Sequence, residues 1–330
     1  MKAAYTPIYG TPNVIELREI GAPMVGPKDV LIAVHASPVT AGDRRLRAAD
    51  FPAITAIPGR LMMGVRGPRN PVQGTIFAGR VIEVGTEVQR YKVGDDVFGN
   101  APHGAYAELL ALPEDAAFTT MPAGLSYAEA AAIPYGAGTA LHFLTTLADV
   151  RPGERVLLLG ASGGVGRYAL QIAKHLGAEV TAVCSGRNIP LMRELGADHV
   201  IDYRGEDFTQ SGQKYDVIFD IADATTFGRC RGSLTPDGRY LTLFASLGVL
   251  LRMALNKLVG GQRALFAIAM PKREDVEALR ELVDAGAISP VIAQSFPFDQ
   301  IIEAHAHAER RPQGDVIVDV AEPPRLRAVA

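Results

Sequence analysis

Residues 155–166 read RVLLLGASGGVG: an apolar run, a turn lined by small residues, then the start of a helical pattern. Val156-Leu157-Leu158-Leu159 suits a strand covered on both faces, and Val165, Ala169, Ile172, Ala173 and Leu176 recur at helical spacing. In that order, strand, turn and helix aim free backbone amides and the positive end of a helix dipole at one spot, where a dinucleotide's pyrophosphate is ordinarily held. Gly163 would let the backbone approach phosphates with no Cβ in the way, and Gly166 would let helix and strand pack closely. The turn Ala161-Ser162-Gly163-Gly164-Val165-Gly166 departs from the strict glycine fingerprint at its first position, where Ala161 stands. A ligand-free turn is the alternative, and it leaves so many small residues unexplained.

The next strand is expected at Glu179 to Cys184. The position about 20 residues beyond Gly166, which carries an acid for the ribose hydroxyls in NAD-binding sheets, falls on Ser185. Ser185-Gly186-Arg187 offers a hydroxyl and a guanidinium, which suit a 2′-phosphate and leave nothing to repel it, so NADP(H) is favoured over NAD. The plainer reading of Arg187 is a solvated arginine opening the next helix.

A length of 330 residues suggests about two domains with ample core. With 33 basic and 36 acidic residues the formal charge is -3, so no global field recruits nucleic acid or an anionic membrane, and neither is expected as a partner. Met1 opens directly into MKAAYT with no signal-like region, and no run of about 18 apolar residues occurs, so a cytoplasmic location is the default expectation. The two cysteines, Cys184 and Cys230, are too few for a disulfide framework or a thiolate-rich zinc lobe.

Residues 1–122 show short strand-like runs punctuated by Gly and Pro, such as Val30 to Ala36, Ala78 to Val84 and Tyr106 to Leu112, which describe a β-rich, barrel-like domain. Residues 123–287 alternate strands with helices, which implies a doubly wound parallel sheet and an α/β fold class. Six strands are expected there, at Val156 to Leu159, Val180 to Val183, His199 to Ile201, Val217 to Asp220, Tyr240 to Phe244 and Leu265 to Ala269. Helices are expected around Val165 to Leu176, Ile189 to Leu195, Thr225 to Leu234 and Glu274 to Ala285, the last closed by Gly286. Residues 288–330, with the strand-like run Val316 to Val320, are expected to return to the first domain and complete it.

With these pieces placed, the chain resembles the medium-chain dehydrogenase/reductase superfamily, and within it the zinc-independent quinone oxidoreductase-like branch. The resemblance covers nearly the whole chain and rests on AGRVIEVG (78–85), VGDDVFG (93–99), AAIP (131–134) leading to Thr139-Ala140, ASGGVG (161–166), LGADHVIDY (195–203) and DVIFD (216–220). It implies a GroES-like first domain and a Rossmann second domain. It also implies that Thr139 lies near the nicotinamide end, that residues 161–166 hold the pyrophosphate, that Ser185, Arg187 and Tyr203 surround the 2′-phosphate, and that Phe244 approaches the nicotinamide ring. Each has a plainer reading: Thr139 as a helix cap, Tyr203 as packing, Phe244 as core. Relatives are commonly dimers joined edge to edge through the nucleotide-binding sheet, so a homodimer is expected.

Zinc-dependent members of that superfamily carry a cysteine near Thr40 and a Gly-His-Glu near Gly74-Thr75-Ile76, and this sequence has neither, so no metal is expected. Other departures are Phe51, where similar quinone reductases often have a tyrosine, and Gly314-Asp315, where a Gly-Lys is usual. Residues 61–71, LMMGVRGPRNP, look like an inserted loop at the active-site mouth that could govern substrate choice.

Hydride transfer from NADPH to the electrophilic carbon of a quinone or α,β-unsaturated carbonyl is the chemistry this implies, since conjugation leaves little need for proton help. Donors aimed at the carbonyl oxygen would stabilise the anion that forms. Candidates are Thr40, Tyr135 and His103, with Asp43 orienting its loop. Two other functions stay open: an aldehyde or ketone reductase, and a non-catalytic NADPH-binding protein.

Overall fold

The computed structural model describes residues 1–50, 56–256 and 260–320. In chain order its elements are β1 (Lys2–Tyr5), β2 (Glu16–Glu19), β3 (Asp29–Pro38), α1 (Ala41–Ala48), α2 (Ala56–Met63), β4 (Ile76–Val84), β5 (Asp96–Asn100), β6 (Leu109–Pro113), β7 (Phe118–Thr120), α3 (Tyr127–Leu141), β8 (Arg155–Leu159), α4 (Gly164–His175), β9 (Glu179–Cys184), α5 (Ile189–Glu194), β10 (His199–Asp202), β11 (Tyr215–Asp220), α6 (Phe227–Cys230), β12 (Leu234–Thr242), α7 (Leu247–Leu255), β13 (Arg263–Phe266), α8 (Arg273–Asp284), β14 (Ile292–Pro297), α9 (Ile301–Glu309) and β15 (Asp315–Asp319). They fall into two compact units, one of Met1–Tyr135, Pro271–Asp284 and Pro290 onward, the other of Gly136–Met270 and Ala285–Ser289.

The second unit is built on a six-stranded sheet in the order β10-β9-β8-β11-β12-β13, every pair parallel. Strand order reverses between β8 and β11, the kind of switch point at which open α/β sheets bind ligands beyond their carboxyl ends. Val156, Leu157 and Leu158 are completely buried, as the uninterrupted apolar run requires of a strand covered on both faces. Val165, Tyr168, Ala169, Ile172 and Ala173 of α4 are buried too.

Three expectations for this unit need correction. Thr225 to Leu234 is not one helix: α6 lasts four residues, a 3-10 turn covers Arg231–Ser233, and Leu234 already pairs with Tyr215 of β11. Phe244 lies beyond its strand, because the Thr242 hydroxyl accepts the Phe244 amide at 3.1 Å and turns the chain out after β12. β13 ends at Phe266 instead of Ala269.

The first unit carries a seven-stranded sheet with the path β14-β15-β3-β4-β5-β7, and β6 also pairs with β3. Pairing is antiparallel except for β14 with β15. β1 and β2 pair with each other, and single bridges join Ala3 to Ala107 and Tyr5 to Val72. Val30, Ile32, Val34, Phe77, Val81, Val97 and Phe118 form the core with Ile301, Ala304, Val316 and Val318 from the chain's end. Gly79 is required inside β4, since a Cβ there would stand 2.1 Å from the Ala33 carbonyl oxygen. Residues 61–71 begin as the end of α2, which stops at Met63.

Candidate functional site

β8 delivers the chain into Gly160, whose φ of 84° is in the left-handed region that favours glycine. The Gly160 and Ala161 amides both donate to the Val183 carbonyl, at 3.2 and 3.1 Å, tying the start of the turn to β9. Gly163 is the N-cap of α4 and has no side chain with which to cap it, so the first amides of the helix keep their dipole-favoured opening. At Gly166 a Cβ would lie 2.4 Å from the Gly160 oxygen and 2.5 Å from that of Ala161, so helix and turn can meet this closely only through glycine. At Gly163 the one atom within 4 Å of such a Cβ is the Gly160 oxygen at 3.3 Å, so the fold alone demands less there than at Gly166. Ala161 is fully buried and Val165 nearly so, which accounts for both as packing.

Asn188, which sequence reading passed over, links the turn to the end of β9. Its Nδ2 donates to Ser162 Oγ at 2.8 Å and to Ser185 Oγ at 3.1 Å. Arg187 is exposed on the 3-10 turn Gly186–Asn188, and the Tyr203 amide donates to the Cys184 carbonyl at 3.2 Å with its ring 57% exposed. Ser185, Arg187 and Tyr203 thus gather at the carboxyl ends of β9 and β10. A second guanidinium joins them, that of Arg204, 6.0 Å from the Tyr203 ring centroid. So does a carboxylate: Asp202 Oδ2 lies 2.6 Å from the point a Cβ on Gly186 would occupy. An acid absent from the end of β9 is thus present on the neighbouring strand.

After β11 the fully buried Asp220 carboxyl accepts the amides of Ala222, Ala224 and Thr225 at 3.2, 3.0 and 3.0 Å, and the Tyr240 hydroxyl at 3.1 Å. Burial pushes its pKa up against these bonds. The loop it shapes brings Ala222 Cβ to 2.8 Å from the Cβ position of Gly160. Thr139 is half-buried on α3, and Phe244 is half-buried beyond β12.

In the first unit Thr40 caps α1 and Asp43 completes a capping box. Asp43 Oδ2 accepts the Thr40 hydroxyl at 2.6 Å and its amide at 2.9 Å, while Thr40 Oγ1 accepts the Asp43 amide at 3.1 Å. Complete burial raises the Asp43 pKa, against the lowering effect of those bonds and of the neighbouring Tyr106 hydroxyl. Tyr106 itself donates to the Pro38 carbonyl at 3.0 Å.

Tyr135 lies beside this box. The point a Cβ on Gly42 would occupy is 3.4 Å from Thr40 Oγ1 and 3.7 Å from the Tyr135 hydroxyl, so two hydroxyls converge on space that a glycine keeps open. Burial first, then the nearby Asp43 charge, raises the Tyr135 pKa. His103 is exposed in the turn before Gly104. Phe51 lies outside the described residues. Behind α1, Arg47 is almost fully buried and reaches Gly10 O at 3.2 Å, His305 Nδ1 at 2.7 Å and the Glu309 carboxylate. Asp315 opens β15 after Gly314, opposite Ile292. Among the described residues no three His, Cys, Asp or Glu side chains are grouped to hold a metal, and no helix is long and apolar enough to cross a membrane.

The alcohol dehydrogenase GroES-like domain model matches residues 26–134, and the zinc-binding dehydrogenase model matches residues 195–318. Human mitochondrial NAD(P)H oxidoreductase RTN4IP1 is 32% identical over 331 residues, covering 89% of this chain and 82% of the relative. The chloroplast envelope quinone oxidoreductase homolog of Arabidopsis thaliana is 32% identical over 262 residues, 75% of this chain and 79% of that one. Among solved structures, the quinone oxidoreductase from Coxiella burnetii superposes with a TM-score of 0.84 at 26% identity, covering 97% of this chain and 99% of the other.

Proposed function

Because the chain belongs to the medium-chain dehydrogenase/reductase superfamily, in its quinone oxidoreductase-like branch, and is thereby an NAD(P)H-dependent oxidoreductase, we propose that it transfers hydride from NADPH to a quinone or an α,β-unsaturated carbonyl. The observation that carries the nucleotide half is the uncapped start of α4 at Gly163, held against the turn by Gly166. Residues 161–166 would hold the pyrophosphate, Thr139 and Phe244 would border the nicotinamide, and Ser185, Arg187 and Tyr203 would take the 2′-phosphate. When bound, the nicotinamide supplies the hydride.

The chain's own contribution to the chemistry is the Tyr135 hydroxyl, set beside the Thr40–Asp43 capping box across Gly42. Tyr135 would donate to the oxyanion that forms as the acceptor is reduced, while Thr40, whose one hydroxyl proton goes to Asp43 Oδ2, would hold the loop in place beside it. A threonine whose hydroxyl is already committed to a capping box, where zinc-dependent members have a cysteine, favours a reaction without zinc. A homodimer joined at the β13 edge would cover the exposed Leu247, Leu251, Ile268 and Met270 side chains.

The test is turnover: purified protein is mixed with NADPH and a panel of quinones, enones and simple aldehydes, and nicotinamide oxidation is followed. Quinone or enone reduction well above aldehyde reduction is expected. Preferential reduction of simple aldehydes would overturn the substrate class, and no turnover with any acceptor would leave a nucleotide-binding protein without this activity.

A further inference from the structure

Asp202 is the last residue of β10 and pairs in register with Cys184, the last of β9. Its Oδ1 accepts the Arg204 amide at 3.0 Å, which fixes how the carboxylate is turned. Its Oδ2 lies 2.6 Å from the place where a side chain on Gly186 would begin. In a dinucleotide-binding sheet, the acid that receives the adenosine ribose hydroxyls projects from the end of the strand that β9 represents here, about 20 residues past the glycine turn. That strand ends at Cys184 and runs into Ser185-Gly186 without an acid. The missing glycine side chain leaves room, and the neighbouring strand puts a carboxylate into it. Ser185, directly before Gly186, shares Asn188 with Ser162 of the turn, so this place is anchored to the proposed pyrophosphate site.

We infer that Asp202 is a specificity-determining residue for the nucleotide: it accepts the 2′-hydroxyl of NADH and opposes the 2′-phosphate of NADPH, so the protein takes both nucleotides. The inference rests on the nicotinamide-binding reading above and narrows its preference for NADPH. A carboxylate accepts a ribose hydroxyl in a charge-assisted bond, while a phosphate monoester beside it meets like charge. Arg187 and Arg204, both exposed on the flanking turns, pull the other way and keep NADPH bound. The charges around the ribose thus favour opposite nucleotides at one position.

Direct binding tests this without turnover. NADPH and NADH are titrated separately into the unaltered protein, Asp202→Asn and Gly186→Ala, with nucleotide fluorescence as the readout. The unaltered protein should bind both. Asp202→Asn keeps a side-chain oxygen for the Arg204 amide and should shift the ratio of affinities toward NADPH by about tenfold, the value of one good charged hydrogen bond. Gly186→Ala, whose methyl must push the carboxylate aside, should move the ratio in the same direction without changing charge. An unchanged ratio in Asp202→Asn, or equal weakening of both nucleotides, would overturn the inference while leaving the nucleotide site intact. Binding of neither nucleotide by the unaltered protein would overturn the underlying reading as well.

Discussion

Arg47 donates from Nη1 to Nδ1 of His305 at 2.7 Å, and because a guanidinium can only donate, the imidazole must offer its lone pair there and carry its proton on Nε2. Burial, then the adjacent Arg47 charge, pushes the His305 pKa down to about 3. The folded protein therefore leaves His305 neutral across a range in which the unfolded chain, with a value of about 6.5, takes up a proton.

Between pH about 6 and about 3 this residue should remove stability as the medium is acidified, by about 1.4 kcal/mol per pH unit. Urea unfolding of His305→Gln and the unaltered protein at several pH values checks it. The variant keeps an amide oxygen that can accept from Arg47 and does not titrate, so its acid slope should be shallower by about one proton. Parallel slopes would clear His305 of the effect.

Asp43 should act with the opposite sign. Burial raises its pKa in the folded protein, so it holds its proton longer than the unfolded chain does, and the stability this brings is present in acid and lost as pH rises through the raised value. Asp43→Asn, of nearly the same shape, lacks that loss. Its stability relative to the unaltered protein should improve steadily from acid to neutral pH, whatever the constant offset from the changed cap. Asp43→Ala, which removes the cap from Thr40, should cost about 1–2 kcal/mol.

The two turn glycines should separate fold from ligand. Gly166→Ala sets a methyl 2.4 Å from a backbone oxygen, so α4 must move, and a loss of about 2 kcal/mol or more together with nucleotide binding is expected. Gly163→Ala meets its nearest atom at 3.3 Å and should keep its melting temperature within a few degrees while binding nucleotide more weakly. Thermal melts with and without NADPH distinguish the two.

Asn188→Ala should loosen NADPH about tenfold, because Ser162 and Ser185 lose the group that fixes both hydroxyls, worth about 1 kcal/mol per bond. Unaltered NADPH affinity would confine Asn188 to the fold.

Charged residues at Ile268 and Met270, which are 73% and 79% exposed past the end of β13, should convert a dimer to a monomer in sedimentation experiments. A protein already monomeric at micromolar concentration would count against the edge-to-edge assembly.

What the sequence made legible followed from local, periodic signals. The run at 156–159 and the small residues after it placed β8, the turn and α4 within a residue or two, because a buried strand and a glycine-dependent turn leave marks at contiguous positions. α3 escaped because Ala130 to Ile133 are buried all round, which erases the amphipathic period, and Pro134 reads as a break. Asp202 was inside a quoted motif, yet its nearness to Gly186 comes from strand pairing and carries no mark in the chain. The same holds for Asn188, and for Thr40 and Tyr135, which converge across Gly42 from distant positions.

The pairing of β3 bears on how the protein is made. One edge of β3 is shared: Asp29 to Ala33 pair with β6, but Ala36 to Pro38 pair with Ile317 to Asp319 of β15, and the Val39 amide donates to the Val316 carbonyl at 2.8 Å. A ribosome adding about 5–20 residues per second needs roughly 15–60 s to reach β15 after completing β3, some 280 residues earlier. During that interval the nascent chain can assemble the strands and helix around its glycine turn, while the segment leading into Thr40 and Asp43 waits for its partner. The hydroxyls across Gly42 therefore take their final support among the last events of synthesis, and a chain that stops short of β15 would carry the dinucleotide-type turn with its Thr40 loop unsupported.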